Sequence, residues 1–154
     1  MLGLKHGPRF AAVVAVVLMT AMAAGATPAA DAAVEAMKAR VSAVSIGERA
    51  HLCVQIAEHQ LAEADKLYAT SDIENAQGML TDVVAYSEMA RDYSIQSHKY
   101  EKQTEIAVRV MTRKLTEVMH ALAHDDQPPV REAITQLQRV RDDLLAAMFR
   151  KGAK

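Results

Sequence analysis

From Gly78 to Pro128 the chain contains no further glycine and no proline, so nothing in that stretch forces the backbone out of a helix. Ser71-Asp72-Ile73-Glu74 opens it in the pattern of a capping box. The Ser71 hydroxyl is placed to accept from the Glu74 amide, and the Glu74 carboxylate to reach back. A seven-residue beat follows. One column reads Ala76, Val83, Ala90, Ser97, Thr104, Met111, Val118, and another reads Leu80, Ser87, Ser94, Glu101, Val108, Leu115, Leu122. Beside them runs Met79, Tyr86, Tyr93, Tyr100, Ala107, Lys114, Ala121. A broken helix has no reason to keep one phase on both sides of its break, so the beat predicts a single long helix over about 72–124. At 1.5 Å per residue it would span roughly 80 Å. The alternative is a four-helix bundle with a bend near Ser97, since Ser94 to Glu105 places small or polar residues where a core should be.

The flanks supply partners for each end. Ser45-Ile46-Gly47-Glu48 is a second capping-box pattern, and the helix it opens, about 46–69, would bury Ile46, Ala50, Cys53, Val54, Ala57, Leu61, Ala64 and Tyr68. Asp125-Asp126-Gln127-Pro128-Pro129 ends the long helix and starts another over about 128–149, with Val130, Ala133, Ile134, Leu137, Val140, Leu144, Leu145 and Met148 on its apolar side. The expected fold is therefore all-α, with antiparallel helical hairpins built on the central helix. An isolated hairpin buries too little apolar surface, so the ends must fold together or two chains must pair.

Residues 1–26 read as a signal peptide. Lys5, His6 and Arg9 form a positive head, Phe10 to Ala24 are apolar apart from Thr20, and Ala24-Gly25-Ala26 offers the small residues a signal peptidase needs. The apolar run is short and alanine-rich for a spanning anchor. The expectation is export to the periplasm or the medium, with no membrane association after cleavage. Residues 27–45 then form a short N-terminal helical segment, with Val34, Met37, Val41 and Val44 at helical spacing, and residues 46–150 form the helical domain. The apolar phase reverses between the two, which argues for a break at Ser45–Gly47. A lone cysteine, Cys53, excludes an internal disulfide and falls on an apolar stripe, as a buried small hydrophobe would.

Charge is uneven. From Glu48 to Asp92 nine acids face three bases, and from Lys99 to Lys154 eight acids face eleven bases. No basic stripe with stacking aromatics suggests nucleic acid. Opposite halves of a rod would attract, favouring antiparallel self-association.

Glu48-x-x-His51 and Glu117-x-x-His120 have the spacing of di-iron ligands in ferritin-like bundles, but helical geometry turns them away from the apolar stripes and towards water. His120 and His124, at i and i+4, are surface candidates for a divalent metal, with Asp125 close by. No phosphate loop, nucleophile elbow or haem motif is present, so the chain reads as a non-enzyme with no cofactor.

Tyr68-Ala69-Thr70-Ser71-Asp72-Ile73-Glu74-Asn75-Ala76 resembles the turn of a tetratricopeptide repeat, with Ser71 where that family has glycine and Glu88 where it has proline. The resemblance covers one turn and implies close helix packing. Ile134-Thr135-Gln136-Leu137-Gln138 is similar to the Leu-Thr-x-x-Gln signature of Spy/CpxP-type periplasmic chaperones, here in one copy with isoleucine leading. That likeness implies a helical protein that cradles unfolded clients. The leading expectation is an exported adaptor, scaffold or self-associating envelope protein, for instance a homodimer. Its interaction seam would be Tyr86, Tyr93 and Tyr100. A metal-binding or Spy/CpxP-like chaperone role is the alternative.

Overall fold

Apolar phases that conflict along a sequence cannot share one straight helix, and the first break in this chain follows from that. In the computed structural model, which describes residues 28–152, α1 (Pro28–Arg40) tightens into a 3-10 turn at Val41–Ala43. Val44 is then extended, and Ser45 caps α2 (Ile46–Ala69). The first capping box forms as expected. The Ser45 hydroxyl accepts from the Glu48 amide at 3.4 Å, and the Ser45 amide donates to the Glu48 carboxylate at 3.1 Å. The Ser45 hydroxyl also donates to Glu48 Oε2 at 2.8 Å, and that bond, with the one from the Ser45 amide, holds the Glu48 carboxyl below its ordinary value. The predicted cleavage point after Ala26 lies outside the described residues.

The second capping box does not form. Leaving α2 for α3 (Ile73–Ser97) within three residues needs a left-handed residue, and Ser71 takes that position with φ 61°. The Ser71 amide donates to the Tyr68 carbonyl and the Asp72 amide to the Leu67 carbonyl, closing the end of α2 as a Schellman motif. Asp72 becomes the N-cap of α3, and Ser71 is no longer placed to cap it.

The single helix expected over about 72–124 is also broken. α3 ends at Ser97, His98 and Tyr100 are left-handed at φ 55° and 63°, and α4 (Glu101–Ala121) turns back. The polar residues at the core columns explain the reversal. Ser94 Oγ and Thr104 Oγ1 lie 2.8 Å apart and both are buried. Glu101 accepts from Lys151 Nζ at 2.8 Å, and Glu105 from Arg141 Nε at 2.8 Å. On a straight rod Ser94 and Thr104 would stand about 15 Å apart, and neither could satisfy the other. The weighed alternative, a bundle bent near Ser97, is what the chain adopts. The phase survives because the reversal replaces about one helical turn, so the seven-residue count resumes in register.

α5 (Gln127–Gly152) completes the bundle after a second 3-10 turn at His124–Asp126. α2 and α3 form one antiparallel hairpin, and α4 and α5 the other. The hairpins stack with α2 beside α4 and α3 beside α5. His51 touches Tyr100 and Asp65 pairs with Lys114 at 2.8 Å, so α2 and α4 advance in the same direction. Arg91 and Asp143, 3.0 Å apart, join α3 to α5. Leu61, Val83, Leu115 and Leu137, one each from α2, α3, α4 and α5, meet in a single core. A smaller cluster lies under α1, where Val34 and Val41 pack on Cys53, Ile56 and Ala90. The acidic and basic halves are thus two hairpins side by side, and the end-to-end attraction expected of a rod does not apply.

Candidate functional site

Two of the three seam tyrosines are used inside the chain. Tyr86 and Tyr93 pack against the cluster beneath α1. Lys38 Nζ sits 5.7 Å from the centre of the Tyr86 ring and the Arg49 guanidinium 5.7 Å from that of Tyr93, both at cation–π range. Burial raises the Tyr86 hydroxyl above its usual pKa. Lys38 also reaches Asp82 at 2.9 Å, so α1 is tied to α3 by charge as well as by apolar contact. Tyr100 differs. Its left-handed backbone at the reversal leaves the ring 42% exposed, 6.0 Å from the His51 ring.

Tyr100 stands at the head of an open groove of about 410 Å³ between the parallel helices α2 and α4. On α4 the core stripe is Thr104, Val108, Met111 and Leu115, yet Ile106 and Val110 fall one turn apart on another face. They are 39% and 46% exposed. Val54 and Ala107 lie between the walls, and Glu58 flanks the α2 side. Among the described residues, three of the four exposed large apolar side chains (Tyr100, Ile106 and Val110, with Phe149 the fourth) border this groove. Sequence reasoning missed it because it exists only once α2 and α4 are neighbours. The available signal was an Ile106/Val110 pair off the core columns.

The metal candidates do not sit on one helix. α4 ends at Ala121, Leu122 is extended, and His124 opens the 3-10 turn, so His120 and His124 share no helix face. Among the described residues no three histidine, cysteine, aspartate or glutamate side chains converge in a way that could hold a metal ion. Glu48, His51, Glu117 and His120 are all exposed. Ile134 and Leu137 of the chaperone-like motif are buried in the core. Ser71 sits at positive φ, at the position where tetratricopeptide turns carry glycine.

Cys53 is fully buried, and burial pushes its thiol up to about 11. The ordinary value is 9.0, so folding favours the neutral thiol, and this contribution to stability is lost as pH climbs from 9 towards 11. At pH 8 iodoacetamide is expected to leave Cys53 untouched in the folded chain and to label it fully in urea. Rapid labelling without denaturant would contradict its burial.

No protein-family model matches this chain, and no significant similarity links it to a curated protein or to a solved structure. Among the described residues, no helix is long and apolar enough to cross a membrane.

Proposed function

We propose that this is an exported, non-enzymatic helical protein that works by protein–protein contact, and that the α2/α4 groove is its contact surface. The observation that supports it is the gathering of Tyr100, Ile106 and Val110 along one groove, partly exposed, while Leu61, Val83, Leu115 and Leu137 close the core. Contiguous exposed apolar surface on a small helical protein is a mark of interaction sites. Covering it with a partner recovers about 25 cal/mol for each Å² removed from water. Export rests on the basic head, apolar run and small residues of positions 1–26.

The test is a photo-crosslinking amino acid placed at Val110 in cells that produce the protein, with the same group at exposed Arg139 on α5 as the control. A discrete protein adduct at Val110 and none at Arg139 is expected, on a mature chain that begins at Thr27. No adduct above the control would remove the groove from consideration, and a chain retaining Met1 would remove export by cleavage. A smear of adducts with many unfolded proteins would favour the Spy/CpxP-like chaperone role instead.

A further inference from the structure

We infer that the α2/α4 groove is covered by the same groove of a second copy of this chain, related by a two-fold axis running parallel to the helices. The inference rests on the groove being the contact surface, as proposed above, and names its occupant.

The argument starts from the charges along the rim. On the α2 wall Glu58 makes no salt bridge among the described residues, and the exposed charge near it is acidic, with Glu48 one end further along. On α4, outside the groove lining but four residues before Ile106 and three after Val110, Lys102 and Arg113 are exposed and likewise make no salt bridge among the described residues. The basic residue that does reach across, Lys114, is held by Asp65 at 2.8 Å. Beside the groove each copy therefore offers an acid, Glu58, on the α2 side and two bases, Lys102 and Arg113, on the α4 side, with an apolar floor between them; the exposed acid Glu117 lies beyond the groove, seven residues after Val110.

Two arrangements place such a face on itself with the helices aligned. If the two-fold axis crosses the helices, α2 lies on α2 and α4 on α4, so acid meets acid and base meets base. If the axis runs along the helices, α2 of each copy lies on α4 of the other, and the favourable pairing occurs twice. Unlike charges facing each other at the rim select the second arrangement and disfavour the first. The register agrees. α2 and α4 are parallel and level, with His51 against Tyr100 and Asp65 against Lys114. An axis along the helices preserves that level, so Glu58 faces the partner's stretch between Lys102 and Arg113, beside Ile106 and Val110. The apolar ridge of one α4 then fills the hollow beside Val54 and Ala107 of the other copy.

Size sets the strength. From His51 to Asp65 the groove runs over about 20 Å at 1.5 Å per residue, so each copy contributes only about four turns of two helices. That is a small specific interface, below the range of obligate dimers, and it should exchange at micromolar concentrations.

The experiment is sedimentation equilibrium on the purified chain from about 1 to about 100 µM, the range where so small an interface dissociates. A reversible dimer is expected. Ile106→Asp with Val110→Asp should abolish it while leaving helical circular dichroism and the melting temperature unchanged, because both side chains are already partly exposed. Glu58→Arg alone and Arg113→Glu alone should each weaken the dimer at least about tenfold, since symmetry applies every change twice. Mixed one to one, those two variants should form a heterodimer of near wild-type strength, the new arginine meeting the new glutamate. A wild-type monomer at the highest concentration overturns the inference, and a Val110 adduct with another protein would still uphold the broader reading. A dimer that survives the double aspartate change places self-association elsewhere and overturns it too. Glu58→Arg pairing with wild-type chain more tightly than wild-type chain pairs with itself would show the other two-fold and overturn it as well.

Discussion

Replacing Leu137 with alanine is expected to cost about 3–5 kcal/mol and to shift the whole unfolding transition, not one part of it. Leu137 is fully buried in α5, in the core shared by α2, α3, α4 and α5. A domain of this size has a total stability of about 5–15 kcal/mol, so the change removes a large fraction of it. In urea, followed by far-ultraviolet circular dichroism, the variant should keep one transition with an unchanged slope and a much lower midpoint. A rod carrying separate hairpins would behave otherwise. There, only the end containing α5 would melt early, and the α2–α3 hairpin would unfold where it did before. A two-step curve of that kind would contradict the single core.

The second large effect is a coupling. Thr104→Val removes one hydroxyl of a pair whose oxygens lie 2.8 Å apart in a fully buried setting. The Ser94 hydroxyl is then left without that partner, and the expected cost is about 1–3 kcal/mol. Ser94→Ala alone strands the Thr104 hydroxyl in the same way. Changing both at once removes donor and acceptor together, so the double variant should lose clearly less than the sum of the singles. Ten residues apart on a continuous helix, about 15 Å, the two side chains could not couple, and the losses would simply add. Additivity would therefore count against the reversal at His98–Tyr100.

Much of the architecture was legible in the residues, and the misses have particular causes. Two of the three columns held except at Ser97 and Leu122, which are half-buried. Ala76, Val83, Ala90, Thr104, Met111 and Val118 are all buried, and so are Leu80, Val108 and Leu115. α2 and α5 fall close to their expected bounds because proline, serine caps and helical spacing mark them locally. The reversal ranked second to a straight helix because three residues replaced about one turn, which kept the apolar beat in phase and concealed the break. Its signal lay in the same columns, as Ser94, Glu101 and Thr104, and in Glu105 beside them, polar groups that only a folded-back chain can pair. The Ser71 capping box failed because a three-residue link between antiparallel helices demanded a left-handed residue, and the backbone requirement outranked the cap.

The tyrosine column, expected as an interaction seam, is used mostly for packing within the chain. Tyr86 and Tyr93 face α1, whose docking place depends on a helix that periodicity could identify but not position. The α2/α4 groove is harder still to see in advance. Ile106 and Val110 become a surface feature only when α4 lies beside α2, and that placement follows from the turn at His98–Tyr100. The groove and the reversal stand or fall together.

The most direct measurement is the distance between spin labels at Thr81 on α3 and Glu117 on α4, two exposed positions, with labelled chain diluted in unlabelled chain so that only pairs within one molecule count. With the chain folded back the helix axes are neighbours or near-neighbours, and a separation below about 30 Å including the label arms is expected. A continuous helix would set the two positions about 54 Å apart at 1.5 Å per residue, and a distance near that value would contradict the bundle.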